Sequence, residues 1–193
     1  EVVPAVRRRK TGFTKAPEEL ARLARGLRGW ERCEVLMSPS GDILLATGGW
    51  PRHPRLIVSR GALGRLSEDE LTTVLQHEHA HWQAGRWIRS HGLFLVRLLQ
   101  CYNPVALWSF REYCLEVEIE CDAAAVSGRD PKLLGRALLK IYESTDRRDV
   151  ASRSALRKRV DVLLDEDRRH DGLPGATLVA ASAILLVVLP WVV

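Results

Sequence analysis

Apolar residues recur along this chain with two different periods, and the changes of period mark its elements. From Pro17 to Gly29 the spacing is helical, with Leu20, Leu23 and Leu27 in register and Pro17 in the first turn. Cys33 to Met37, Asp42 to Thr47 and Arg55 to Ser59 read as strands. Ser38 to Gly41 turns between the first two, and Gly48, Gly49 and two prolines separate the last two. Helical spacing returns at Glu68 and runs to about Arg89, with Leu71, Val74, Leu75 and Trp82 on one stripe. Leu93 to Leu99 continues as an apolar helix too short to span a bilayer. Asn103 caps and Pro104 opens a further helix that ends near Gly128. Asp130 and Pro131 start the next, to about Thr145, with Leu133, Leu134, Leu138 and Ile141 inward. Val150 to Asp165 makes another, with Leu156, Val160, Leu163 and Leu164 on its stripe.

The last stretch has no period. Arg168 to Gly172 is a polar hinge, and Leu173 to Val193 is almost wholly apolar and carries no charge. About 20 such residues span a bilayer, so a transmembrane helix is expected there. The organisation expected is a basic arm over residues 1–16, one domain over 17–167, and a linker with the membrane helix over 168–193. The domain should be α+β, mostly helical, with a small antiparallel sheet.

Composition narrows the class. A length of 193 residues suits one domain, and 46% hydrophobic residues can supply a core. The net charge of +5 is mostly arginine. Arg7 to Lys10 is the main basic run and no nucleic-acid module accompanies it, so no direct nucleic-acid binding is expected. The four cysteines form no CxxC pair, which suits a reducing compartment. Basic residues before the domain and at Arg168 and Arg169 place it on the cytoplasmic side of a cell membrane.

The chemistry lies in His77-Glu78-His79-Ala80-His81, an HExxH sequence on the helix that begins at Glu68. Ser67 and Glu70 form a capping-box pattern ahead of it. Positions i and i+4 stand one above the other on a helix, so His77 and His81 can grip one Zn²⁺. Glu78 can take a proton from a water that the metal activates. His79 points away. The plain alternative is a histidine-rich helix that binds nothing.

A third ligand is needed, and four acids downstream compete for the role: Glu116, Glu118, Glu120 and Asp122. Glu118 shares a face with Cys114, Leu115, Cys121, Asp122 and Ala125, which reads as buried. Glu116 and Glu120 fall on the opposite, solvated face with Ser109 and Ser127. An acid on an apolar face is costly unless a metal or partner compensates it, so Glu118 is the expected ligand. Asp122 could accept the second ring N–H of a zinc histidine. The alternative is a surface helix with Glu118 paired to Arg111.

HEHAH followed by E-x-x-C-D (Glu118 to Asp122) resembles the gluzincin metallopeptidases of the BlaR/MecR antirepressor type. The likeness includes Pro54 to Gly61, Asn103-Pro104 and Leu156 to Val160, and covers roughly residues 30 to 165. The related HtpX type usually carries E-x-x-A-D, so Cys121 favours the antirepressor side. The resemblance implies that an edge strand pairs with an extended peptide, with Ala46, Thr47 and Gly48 as backbone contacts. It also places Arg159 near the site; a surface charge is the alternative. The group's late His-Pro has no counterpart, since no histidine lies between His91 and His170.

The function this implies is a membrane-anchored zinc endopeptidase, responsive to a signal and cleaving a cytosolic winged-helix repressor. Two other readings are an HtpX-like quality-control protease and a non-catalytic metal-binding sensor domain.

Overall fold

A computed structural model describes residues 12–50, 52–84, 104–145 and 150–164. The expected basic run Arg7 to Lys10, the helix over Leu93 to Leu99, the Asn103 cap, the hinge and the segment Leu173 to Val193 lie outside these residues.

In chain order the elements are β1 (Thr14–Lys15), α1 (Glu18–Arg25), β2 (Glu34–Ser38), β3 (Leu45–Trp50), β4 (His53–Ser59), α2 (Arg60–Arg65), α3 (Glu68–Gln83), α4 (Pro104–Ala125), α5 (Pro131–Ser144) and α6 (Val150–Leu164). The strands form one sheet in the order β1-β2-β4-β3. The fold is mixed α+β, with several helices against a small sheet.

The sheet departs from the expected antiparallel one. β1–β2 and β3–β4 are antiparallel, but β2 and β4 run parallel, with Val35 opposite Leu56 and Met37 opposite Val58. The reason is which strand is most apolar. β4 buries Pro54, Leu56, Val58 and Ser59, and it takes the middle of the sheet, where burial on both sides is greatest. The β3–β4 hairpin folds back so that β4 inserts beside β2 and leaves β3 at the edge. Gly49 allows the hairpin turn: it sits at φ +92°, and a Cβ there would run into the His53 carbonyl.

Ser59 then fixes the connection. Its hydroxyl donates to the Asp42 carbonyl (2.6 Å) and accepts from the Leu44 and Ala62 amides (2.9 and 3.0 Å). The same oxygen therefore caps α2 and pins the loop that leads into β3.

α3 is the helix on which the site depends. The Ser67 hydroxyl accepts from the Glu70 amide, and the Glu70 carboxylate accepts from the Ser67 amide, closing the capping box. α3 packs against α4, α5 and β3. Its Val74 and Leu75 join Leu56, Val58, Leu134 and Leu138 in one core. α6 lies on both α4 and α5.

Among the described residues no helix is long and apolar enough to cross a membrane. α4 has the length, at 22 residues, but it carries Arg111, Glu112, Glu116, Glu118, Glu120 and Asp122, a load of charge that a lipid-spanning helix does not tolerate. The expected fold with a C-terminal transmembrane helix is therefore corrected to the mixed α+β domain. The membrane location with a cytoplasmic face, which rested on that helix, is withdrawn with it.

Candidate metal centre

The capping box sets where α3 begins, and that register turns His77 and His81 inward, each 6% exposed. Their rings stand edge to face with centroids 4.4 Å apart. Glu118 arrives from α4. Its Oε2 lies 3.5 Å from His77 Nε2 and 3.4 Å from His81 Nε2. Ligand atoms on one tetrahedral zinc, at bonds of about 2.0–2.2 Å, stand about 3.3–3.5 Å from one another. The three donors lie within 4.8 Å of one another, so these residues fit a single metal ion.

The atoms behind the donors favour the same reading. His77 Nδ1 lies 2.8 Å from Asp122 Oδ1, and His81 Nδ1 lies 2.9 Å from Cys121 Sγ. With each Nδ1 held on its far side, both Nε2 atoms are left facing Glu118. Asp122, 1% exposed, is gripped in turn by Arg159 from α6, through Nε to Oδ2 and Nη2 to Oδ1, both at 2.7 Å. Arg159 Nη1 also reaches Glu118 Oε2 at 3.2 Å.

Two carboxylates and one guanidinium leave this buried cluster negative while the imidazoles are neutral. Its electrostatics follow. Burial by itself would raise the Glu118 carboxyl, but the bonds from His77 and His81 and the Arg159 charge hold it well below the usual carboxylate range. Burial would lower His77, yet its bonds to Asp122 and Glu118 push it up to about 9. Without a metal the cluster therefore keeps a proton on His77, and a bound cation has to displace it.

Glu78 faces another way. Its Oε2 accepts from the Thr47 amide (3.1 Å) and from the Thr47 hydroxyl (3.0 Å) on β3. His79 points out of the cluster as expected, with Nε2 2.9 Å from the Arg28 carbonyl and its ring stacked on Trp82. Glu120 is exposed, and Glu116 lies outside the cluster, its carboxyl raised by burial and by the neighbouring Glu120 and Glu112 charges. Glu118 meets Arg159, where the sequence alternative had Arg111.

Two contacts had no sequence signal. The Thr47–Glu78 pair depends on which strand docks beside α3. The Cys121 thiol on His81 is visible only once α3 and α4 are crossed.

Two histidines one turn apart, with a carboxylate brought from a second helix to the same point, are the arrangement of a zinc-metallopeptidase-type domain. The sequence profile of the BlaR1 peptidase M56 family matches residues 34–163, more than half of the chain, and the chain belongs to that family. The regulatory protein BlaR1 of Bacillus licheniformis is 30% identical over 91 residues, which are 46% of this chain and 15% of that protein. The crystal structure of S. mikatae Ste24p shares the fold, with a TM-score of 0.56 at 18% identity over 79% of this chain and 51% of that one. The chain thus spans a minor part of the BlaR1 relative and about half of Ste24p.

These likenesses link the chain to zinc metallopeptidases, and the His77, His81 and Glu118 cluster could coordinate a metal. They do not carry the membrane-anchored, signal-responsive repressor protease that the sequence suggested. Among the described residues no helix can serve as the anchor, and that reading is corrected to a largely helical domain of this metallopeptidase family.

Proposed function

We propose that the domain is a zinc-dependent endopeptidase that cleaves an extended stretch of a protein substrate. The observation that carries this reading is the convergence of His77 Nε2, His81 Nε2 and Glu118 Oε2 on one point, with Glu78 on the same helix. His77, His81 and Glu118 would hold the metal. When bound, zinc supplies a Lewis acid that activates water and polarises the scissile carbonyl.

The chain's own residues do the rest. Glu78 takes the proton from the attacking water and hands it to the leaving amine. Asp122 and Cys121 stand behind the two imidazoles and orient them, and Arg159 holds Asp122 in place. Among the described residues β3 is an open edge strand of the sheet, and it packs against α3. A substrate strand would add there, beside the stretch Ala46, Thr47 and Gly48, of which Thr47 turns its backbone groups outward. Kinship with a regulatory protein supports a protein substrate.

Glu78→Gln tests the chemistry apart from the binding. The variant keeps size and hydrogen bonding but takes no proton. It should fold, retain zinc measured by atomic absorption, and lose turnover of labelled casein by about 100-fold or more. Near-normal turnover would remove Glu78 from the role of base.

A further inference from the structure

The Thr47 amide is the donor that Glu78 holds and that a strand added to β3 would need. Among the described residues β3 pairs only with β4, so its other side is an open edge of the sheet. Which amides face that edge follows from the ladder. The Ser59 amide donates to the Leu44 carbonyl at 2.9 Å, so Leu44 turns its backbone groups toward β4. Antiparallel strands alternate, so Ala46 and Gly48 do the same, while Leu45 and Thr47 present theirs outward. An added strand would need the Thr47 N–H. In this structure that N–H is already taken, at 3.1 Å, by Glu78 Oε2.

We propose that Thr47 is a latch and a positioning residue for Glu78: an incoming extended peptide and the Glu78 carboxylate compete for its amide, while its hydroxyl keeps hold of Glu78. This rests on the peptidase reading and adds a regulation of the same site. In the resting state one carboxylate oxygen accepts two donors from one residue. A peptide carbonyl that docks on β3 takes the N–H and releases one of these bonds. Glu78 then stays tethered by the hydroxyl alone, with lone pairs freed on the oxygen that the amide had occupied. Substrate binding thus frees the base at the moment it is needed. A peptide that fails to pair with the edge leaves the base tied up.

The latch makes binding weaker than the bare edge would allow, and that is measurable without any metal. Binding of fluorescein-labelled casein to the metal-free protein, read by anisotropy, should tighten about three- to tenfold in Glu78→Ala, since the peptide no longer has to displace a charged acceptor and water regains part of that bond. Far-ultraviolet circular dichroism and thermal melting establish that the variant is folded. Unchanged or weaker binding by folded Glu78→Ala would overturn the latch. In the zinc-loaded protein, Thr47→Val should lower kcat about tenfold with little change in KM, and Thr47→Ser should restore it, because only the hydroxyl differs in role. Equal kcat in Thr47→Val and wild type would overturn the positioning role. If Glu78→Ala binds casein more tightly than wild type does, yet zinc-loaded wild type does not cleave casein, the peptidase reading fails and the latch stands.

Discussion

At the scale of single residues, Asp122 is the most exacting position in the cluster. It is 1% exposed, and Arg159 supplies both of its strongest bonds, at 2.7 Å. Removing one partner of a buried ion pair costs more than the pair itself contributes, because a charge is left without compensation. Arg159→Met should therefore destabilise the domain by about 3–5 kcal/mol, measured by urea unfolding. A cost under about 1 kcal/mol would mean that water reaches Asp122 freely. Arg159→Lys should not rescue, since an ammonium cannot span both carboxylate oxygens. Glu118 tests the ligand set. Glu118→Ala should empty the zinc site, and Glu120→Ala, on the exposed face, should leave about one zinc per chain. Full occupancy in the Glu118 variant, read by atomic absorption, would move the third ligand elsewhere. The cluster's acid was legible beforehand because helical spacing alone separates the face of Glu118 from that of Glu116 and Glu120. The partner of Glu78 was not. Thr47 was expected only as a backbone contact for substrate, and its hold on Glu78 is set by how the edge strand meets α3.

At the scale of elements, the start of α3 governs the direction in which both histidines point. Glu70 closes the capping box and also accepts from Lys140 Nζ on α5 at 2.7 Å. Burial opposes its ionisation, yet the Lys140 bond and the Ser67 amide outweigh this and lower its carboxyl below 4.5. A carboxyl lowered in the folded state adds stability that is present above its unfolded pKa and is lost as pH falls through the folded one. Glu70→Gln keeps the cap acceptor but not the charge. It should cost about 1 kcal/mol near neutral pH, a modest figure because Lys140 is partly solvated. The difference from wild type should shrink as pH falls below 4.5 and through the lowered folded value. A pH-independent difference in urea unfolding would assign the loss to packing. The helices were readable from such signals: the Ser67 box begins α3, and Asp130 with Pro131 begins α5. The sheet was less so. β1 is two exposed residues with no alternation to read. The parallel pairing of β2 with β4 follows from competition for the central place, which no single strand's pattern encodes.

At the scale of the whole molecule, the cluster ties together three helices that are distant in sequence, α3, α4 and α6, through His77, Asp122 and Arg159. Metal binding and fold stability are therefore linked, because an ion that binds only the folded state stabilises it by mass action. The link has a pH dependence whose sign can be worked out. His77 is raised from 6.5 to about 9 in the metal-free fold. A histidine raised on folding contributes stability that is fully present below 6.5 and is lost as pH climbs through about 9. The metal-free domain should accordingly lose stability across that window. The metal needs a neutral imidazole, so its own binding strengthens across the same window as the proton becomes easier to displace. These are one effect seen from two sides, since the proton lost from the metal-free fold is the proton the metal no longer has to displace. In thermal melts with excess zinc and with chelator, the gap in Tm should widen from pH 6.5 to pH 9. For a domain of this size each kcal/mol moves Tm by about 2–4 °C, so the widening should be about 5 °C or more. His77→Gln should abolish the pH dependence of the metal-free melt within this window. A gap that stays constant across the window would mean that His77 carries no proton in the metal-free fold, and that the Asp122 contact orients a neutral ring.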